Sequence, residues 1–144
     1  INNYNFLDII LISSPSQICF DSHLKTVAEM TEIGESVERV DALIEETQNF
    51  QSDSSDDFEK ASQVIAAGKL LIGSRGVYPW EIVQPKCDEL QRVCDIINER
   101  LVKRLEILNK NRELMERVEK VQNFIYFLLD FFFQLYSDQI FSVL

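Results

Sequence analysis

The chain has 144 residues, 14 Lys and Arg against 24 Asp and Glu, and a net charge of −10 with its one His neutral. That length fits a single domain, and a hydrophobic content of 46% excludes global disorder. Four Gly and three Pro are too few for a turn-rich all-β fold, and the acidic balance excludes a general nucleic-acid binder.

Residues 1–17 carry one charge, Asp8. They lack the basic start of a signal peptide, and the apolar run from Ile9 to Ile12 is too short to span a bilayer. Ser13-Ser14-Pro15-Ser16-Gln17 fits the translation of a pyrimidine-rich stretch ending in CAG, the form of a splice acceptor. This flank is read as intron read-through, with the domain proper at 18–121.

Within 18–121, apolar or small residues recur at Val27, Met30, Ile33, Val37, Val40, Ile44 and Thr47. The three-four spacing predicts one amphipathic helix over 21–50, with Asp21 or Ser22 at its cap. The cluster QSDSSDD at 51–57 then reads as a break, with Ser54 capping a second helix over about 55–72. Phe58, Ala61, Ile65 and Leu71 or Ile72 are its inward positions. Gly68 interrupts it, and Gly73-Ser74-Arg75-Gly76 makes the next loop.

A third helix is expected over about 79–120. Pro79 suits its first turn, and Pro85 bends it or delays its start. Its expected core is Trp80, Val83, Cys87, Leu90, Cys94, Ile97 and Leu101, followed by Leu105, Leu108, Met115 and Val118. Residues 21–59 hold 12 acids and 2 basic residues, whereas 60–121 hold 9 acids and 12 basic residues, which favours antiparallel packing of the first helix on the third. The sum is an all-α fold, an antiparallel three-helix bundle, with poorly organised apolar flanks. Arg100, Lys103 and Arg104, with Lys110 and Arg112, form a candidate patch for acidic lipid or a protein partner.

Residues 122–144 carry Asp130 and Asp138 as their only charges and eight of the chain's aromatic residues. Val121 requires a codon beginning with GT, as a splice donor does, so this second flank reads as intron read-through or as a helix. The alternative is a single-pass membrane anchor, in which Asp130 near the middle would cost roughly 2.5–3.5 kcal/mol.

Chemical motifs are mostly lacking. A lone His23, read as a surface or capping residue, cannot build a His-based metal site or a triad. Cys87 and Cys94, seven apart on one helix and about 10 Å along its axis, are too distant for a disulfide and read as core. An odd total of three Cys favours a reducing compartment. Ala67-Gly68-Lys69 fails as a P-loop because Gln63 and Leu70 stand at the required Gly and Ser/Thr positions. Glu45-Glu46 and Asp56-Asp57 read as solvated pairs. No catalytic, cofactor-binding or metal-binding residue is assigned.

One stretch is more particular: Tyr78-Pro79-Trp80-Glu81-Ile82-Val83-Gln84-Pro85-Lys86-Cys87-Asp88-Glu89-Leu90-Gln91-Arg92-Val93-Cys94. With Phe58-Glu59-Lys60-Ala61 before it, it resembles the spectrin-like repeat of Dbl/Dbs-type Rho guanine nucleotide exchange factors. The resemblance covers roughly Phe58 to Lys120 and, more weakly, Asp21 to Phe50. In that family exchange resides in a separate Dbl-homology domain followed by a pleckstrin-homology domain. The resemblance therefore implies a non-catalytic, cytoplasmic segment, peripheral at a membrane where it binds lipid. Its role would be a spacer, a docking surface or a contributor to autoinhibition, with other domains of the parent factor or protein partners as its contacts. A cytoskeletal scaffold repeat is the alternative within the same fold.

Overall fold

The structure, a computed structural model, describes residues 20–73 and 80–143, with side chains through residue 137. Every regular element among them is helical: α1 over 20–29, α2 over Val37–Asp53, α3 over Ser55–Gly73 and α4 over Trp80–Val143. Residues 1–17, the loop from Ser74 and the expected cap Pro79 lie outside the described residues.

The expected helix over 21–50 is two helices. Between α1 and α2 the backbone turns at Gly34, whose φ of +81° belongs to the left-handed region that glycine tolerates. A Cβ there would also stand 2.8 Å from Val40 Cγ2. Ser36 then caps α2, its Oγ accepting from the Arg39 amide at 3.2 Å. Asp21 and Ser22 lie inside α1 and cap nothing; the Ser22 carbonyl accepts from Thr26 Oγ1.

The expected break at 51–57 is only a joint. Ser54 keeps right-handed helical dihedrals, and helical hydrogen bonds run through it, from its amide to the Phe50 carbonyl and from the Phe58 amide to its own carbonyl. Its hydroxyl donates back to the carbonyls of Phe50, at 2.7 Å, and Gln51 instead of capping α3. Such back-bonding bends a helix without ending it. So α2 and α3 run in succession along α4. Asp41 meets Arg112, Thr47 meets Arg104, and Gly68 meets Cys87, which makes α2 and α3 antiparallel to α4. α1 runs the other way, with His23 beside Asp57 and Phe20 against Phe58.

Two apolar tiers hold these helices. Phe20 and Val27 of α1, Ala61 of α3, and Val93, Cys94, Ile97 and Leu101 of α4 form one, with Leu90 half-buried against it. Val40 and Leu43 of α2 with Leu108 of α4 form the other. Val83 and Cys87 are buried further along α4. Trp80, expected inside, is 59% exposed. It is the first residue of α4 and lies level with the end of α3, where Gly73 offers no side chain for it to pack on. Gly68 does not interrupt α3; it is buried and lets α3 approach Cys87 closely.

The C-terminal flank is helical rather than poorly organised. No Gly or Pro follows Pro85, and α4 continues for 64 residues, about 96 Å at 1.5 Å per residue. Beyond Met115 it has no partner helix among the described residues, and Phe124, Tyr126, Phe127 and Phe133 are 60–80% exposed. No helix among the described residues is long and apolar enough to cross a membrane, so the anchor reading has no support.

Candidate functional site

A polar clasp holds the α1–α2 connection. Arg104 of α4 donates through its guanidinium to the carbonyls of Met30 and, at 3.2 Å, Glu32. Its Nε donates to Thr47 Oγ1 at 3.0 Å, and that hydroxyl donates on to the Leu43 carbonyl at 2.7 Å. Two turns along, Asn111 Nδ2 donates to the carbonyls of Ile33 at 2.6 Å and Gly34 at 3.0 Å. Met30 directly follows α1, and Glu32, Ile33 and Gly34 belong to the connection beyond it, where no helix supplies partners for these carbonyls. Arg39 of α2 completes the clasp from outside, bridging Glu32 at 2.5 Å and Glu46 at 3.2 Å. Its hydrogen bonds hold the Glu32 carboxyl below the usual carboxylate range. Burial lowers the Arg104 guanidinium, with Glu46 and Glu32 opposing, yet an arginine remains charged in any protein setting.

Arg104 therefore leaves the expected basic patch: it is half-buried and spent on the fold. Lys110 pairs with Glu106, and Arg112 bridges Asp41 and Glu116. Arg100 and Lys103 stay exposed, Lys103 in a 2.6 Å pair with Glu99. They edge a groove of about 430 Å³ between α1 and α4, whose floor includes Val27, Met30 and Leu108 and whose rim includes exposed Ile33 and Ile107.

His23 is not a surface residue. Its Nε2 is 3.1 Å from Asp57 Oδ2, and its ring stands edge-on to Phe20 and Phe50 and stacks on Phe58. Asp57, read as solvated, is half-buried in this contact and also pairs with Lys60. The two residues tie α1 to the start of α3 across 34 positions, a separation that no local motif reveals.

Cys87 and Cys94 are free and buried. Burial raises the Cys87 thiol, the Asp88 carboxylate adds to it, and Lys69 opposes. Burial, with Asp95 adding, pushes Cys94 up to about 11. Both are thiols, not thiolates, near neutral pH, so neither is a nucleophile there. Among the described residues no group of three His, Cys, Asp or Glu could hold a metal ion.

Comparison with known proteins gives this architecture a relation. Over 99 residues, 69% of this chain, the sequence is 31% identical to human guanine nucleotide exchange factor DBS, of which the match covers 9%. The rat protein of the same name is 32% identical over 99 residues, 8% of its length. The human probable guanine nucleotide exchange factor MCF2L2 is 31% identical over 106 residues, 9% of its length. No family model matches the chain, and no solved structure matches it. The chain spans less than a tenth of the length of the curated relatives it matches. It carries a segment homologous to a short part of guanine nucleotide exchange factors.

Proposed function

We propose that this chain is a non-catalytic spectrin-like repeat of a Dbl-family Rho guanine nucleotide exchange factor, acting as a spacer, interaction or regulatory module. The observation that carries the reading is the homology over 99–106 residues, close to the extent of the charged middle of the chain, within relatives many times longer. The course of the helices supports it: α1 one way, α2 and α3 back, α4 the first way again. Its polar chemistry supports a structural use as well, since Arg104, Asn111 and Arg39 are committed to the α1–α2 connection.

As a module it presents the groove edged by Arg100 and Lys103 to other domains of the parent factor or to a protein partner. The regulatory part of the reading is a covered-open equilibrium of the exchange domain, biased by contacts of the repeat. The test uses human guanine nucleotide exchange factor DBS with its homologous segment deleted or replaced by residues 18–121 of this chain. Deletion is expected to change the rate of nucleotide release from Rho-family GTPases, and replacement to restore it in part. Identical rates in all three proteins would leave the segment without a regulatory role.

A further inference from the structure

The free end of α4 carries a pattern that its exposure alone does not explain. From Leu114 the apolar residues Leu114, Val118, Val121, Ile125, Leu128, Phe132 and Leu135 follow one another in alternating steps of four and three. That is the spacing of a coiled-coil seam, sustained over three heptads. Glu116, Asn123, Asp130 and Ser137 fall every seven residues on the opposite side. Asp130 is the one charged group between Val121 and Ser137, and it occupies the outermost position. No described residue outside α4 covers the seam, and Val121 is 58% and Phe132 55% exposed.

We propose that this segment pairs in antiparallel fashion with the same segment of a second copy of the chain. In that register Val118 lies level with Leu135 of the second copy, Val121 with Phe132, and Ile125 with Leu128. Two layers set a valine against a larger residue and the third pairs the equal-sized Ile125 and Leu128, so no layer stacks two aromatic rings or two valines. Phe124 and Phe131 of the two copies flank it. A parallel pairing stacks Phe132 on Phe132 and Val121 on Val121, and brings the two bundles side by side. Antiparallel pairing moves the bundles toward opposite ends and opposes the helix dipoles.

Two further observations select a second copy. The seam and its flanking Phe124 and Phe131 offer roughly 600–800 Å² of apolar surface per copy, near the ~800 Å² per partner of a stable interface. No Lys or Arg lies between Val121 and Ser137, so this apolar part of the segment has no cation for an anionic membrane, and pairing two copies leaves its one charge, Asp130, on the outer side.

The test is sedimentation velocity of the whole chain over a concentration series. The expected species has twice the 16.8 kDa mass of one chain. Ile125→Lys with Leu128→Lys, on the seam, is expected to weaken association at least about tenfold. Asn123→Lys with Asp130→Lys, on the polar stripe, is expected to leave it unchanged, and circular dichroism to show the bundle folded in both. In a Cys19→Ser background, Val118→Cys mixed with Leu135→Cys is expected to cross-link, and Leu135→Cys alone is not. A monomer at every concentration, polydisperse aggregation indifferent to the seam pair, equal effects of the two pairs, or self-linking of Leu135→Cys overturns the proposal. So does a monomer that floats with phosphatidylcholine vesicles, which assigns the face to lipid.

Discussion

Gly68 of α3 faces Cys87 of α4 so closely that a single added methyl would stand 2.3 Å from the Cys87 Sγ and 3.5 Å from Val83 Cγ1. Gly68→Ala gains up to about 1 kcal/mol in helix propensity, but overpacking a buried contact costs about 1–3 kcal/mol. The clash is expected to win, giving a net loss of about 1 kcal/mol in urea denaturation. Adding Cys87→Ala removes the Sγ, so Gly68→Ala is expected to become neutral or stabilising in that background. Equal effects of Gly68→Ala in both backgrounds would mean that the two helices do not meet there.

The clasp at the end of α1 separates two arginines four residues apart. Arg104→Met keeps the stem and removes the donors to Met30, Glu32 and Thr47, and is expected to cost about 1.5–3 kcal/mol. Arg104→Lys is expected to recover little of that, because an ammonium lacks the fork that reaches both carbonyls and Nε's partner. Arg100→Met, at an exposed position, is expected to stay within about 0.5 kcal/mol of the parent. Comparable shifts in unfolding midpoint for the two Met variants would contradict the clasp.

Much of this was legible in the sequence and some was not, for identifiable reasons. The spacing of Val83, Cys87, Cys94, Ile97 and Leu101 marks the buried stripe of α4, because helical periodicity follows directly from burial of one face. The α1–α2 break escaped it because Ile33 and Val37 keep the three-four rhythm across the connection, so periodicity alone passes straight over. Gly34 followed two residues later by the cap Ser36 is the signal that marks it. The opposite error arose at 51–57, where Ser and Asp, common at caps, make only a one-residue joint at Ser54 between α2 and α3, with right-handed helical dihedrals. Arg104, His23 and Asp57 were misplaced because their partners lie 34–74 positions away. Trp80 was misplaced because periodicity gives a face but not where the neighbouring helix ends.

Alkaline pH gives a third test. Burial raises the folded-state pKa of Cys94 from an ordinary value near 9 to about 11. The folded state therefore favours the protonated thiol. The associated stability is complete below pH 9 and is lost as pH rises from about 9 through about 11, because the unfolded chain ionises first. The urea midpoint is expected to fall across that window, and to fall less steeply in Cys94→Ala once its lower baseline is subtracted. Peptide mapping after brief iodoacetamide treatment at pH 7.5 is expected to find Cys87 and Cys94 unmodified. Rapid alkylation of either in the folded protein would contradict their burial.

The proposed function requires a segment with no exchange activity of its own, and one assay addresses that directly. Release of a fluorescent guanine nucleotide from Rho, Rac and Cdc42 proteins is followed with and without purified residues 18–121. The α4 helix of that segment packs its buried stripe against α1, α2 and α3, and its thiols Cys87 and Cys94 are protonated near neutral pH. The expected result is an unchanged release rate at every concentration of the segment. A dose-dependent acceleration by the isolated segment, abolished by surface substitutions that leave its helicity intact, would contradict the account.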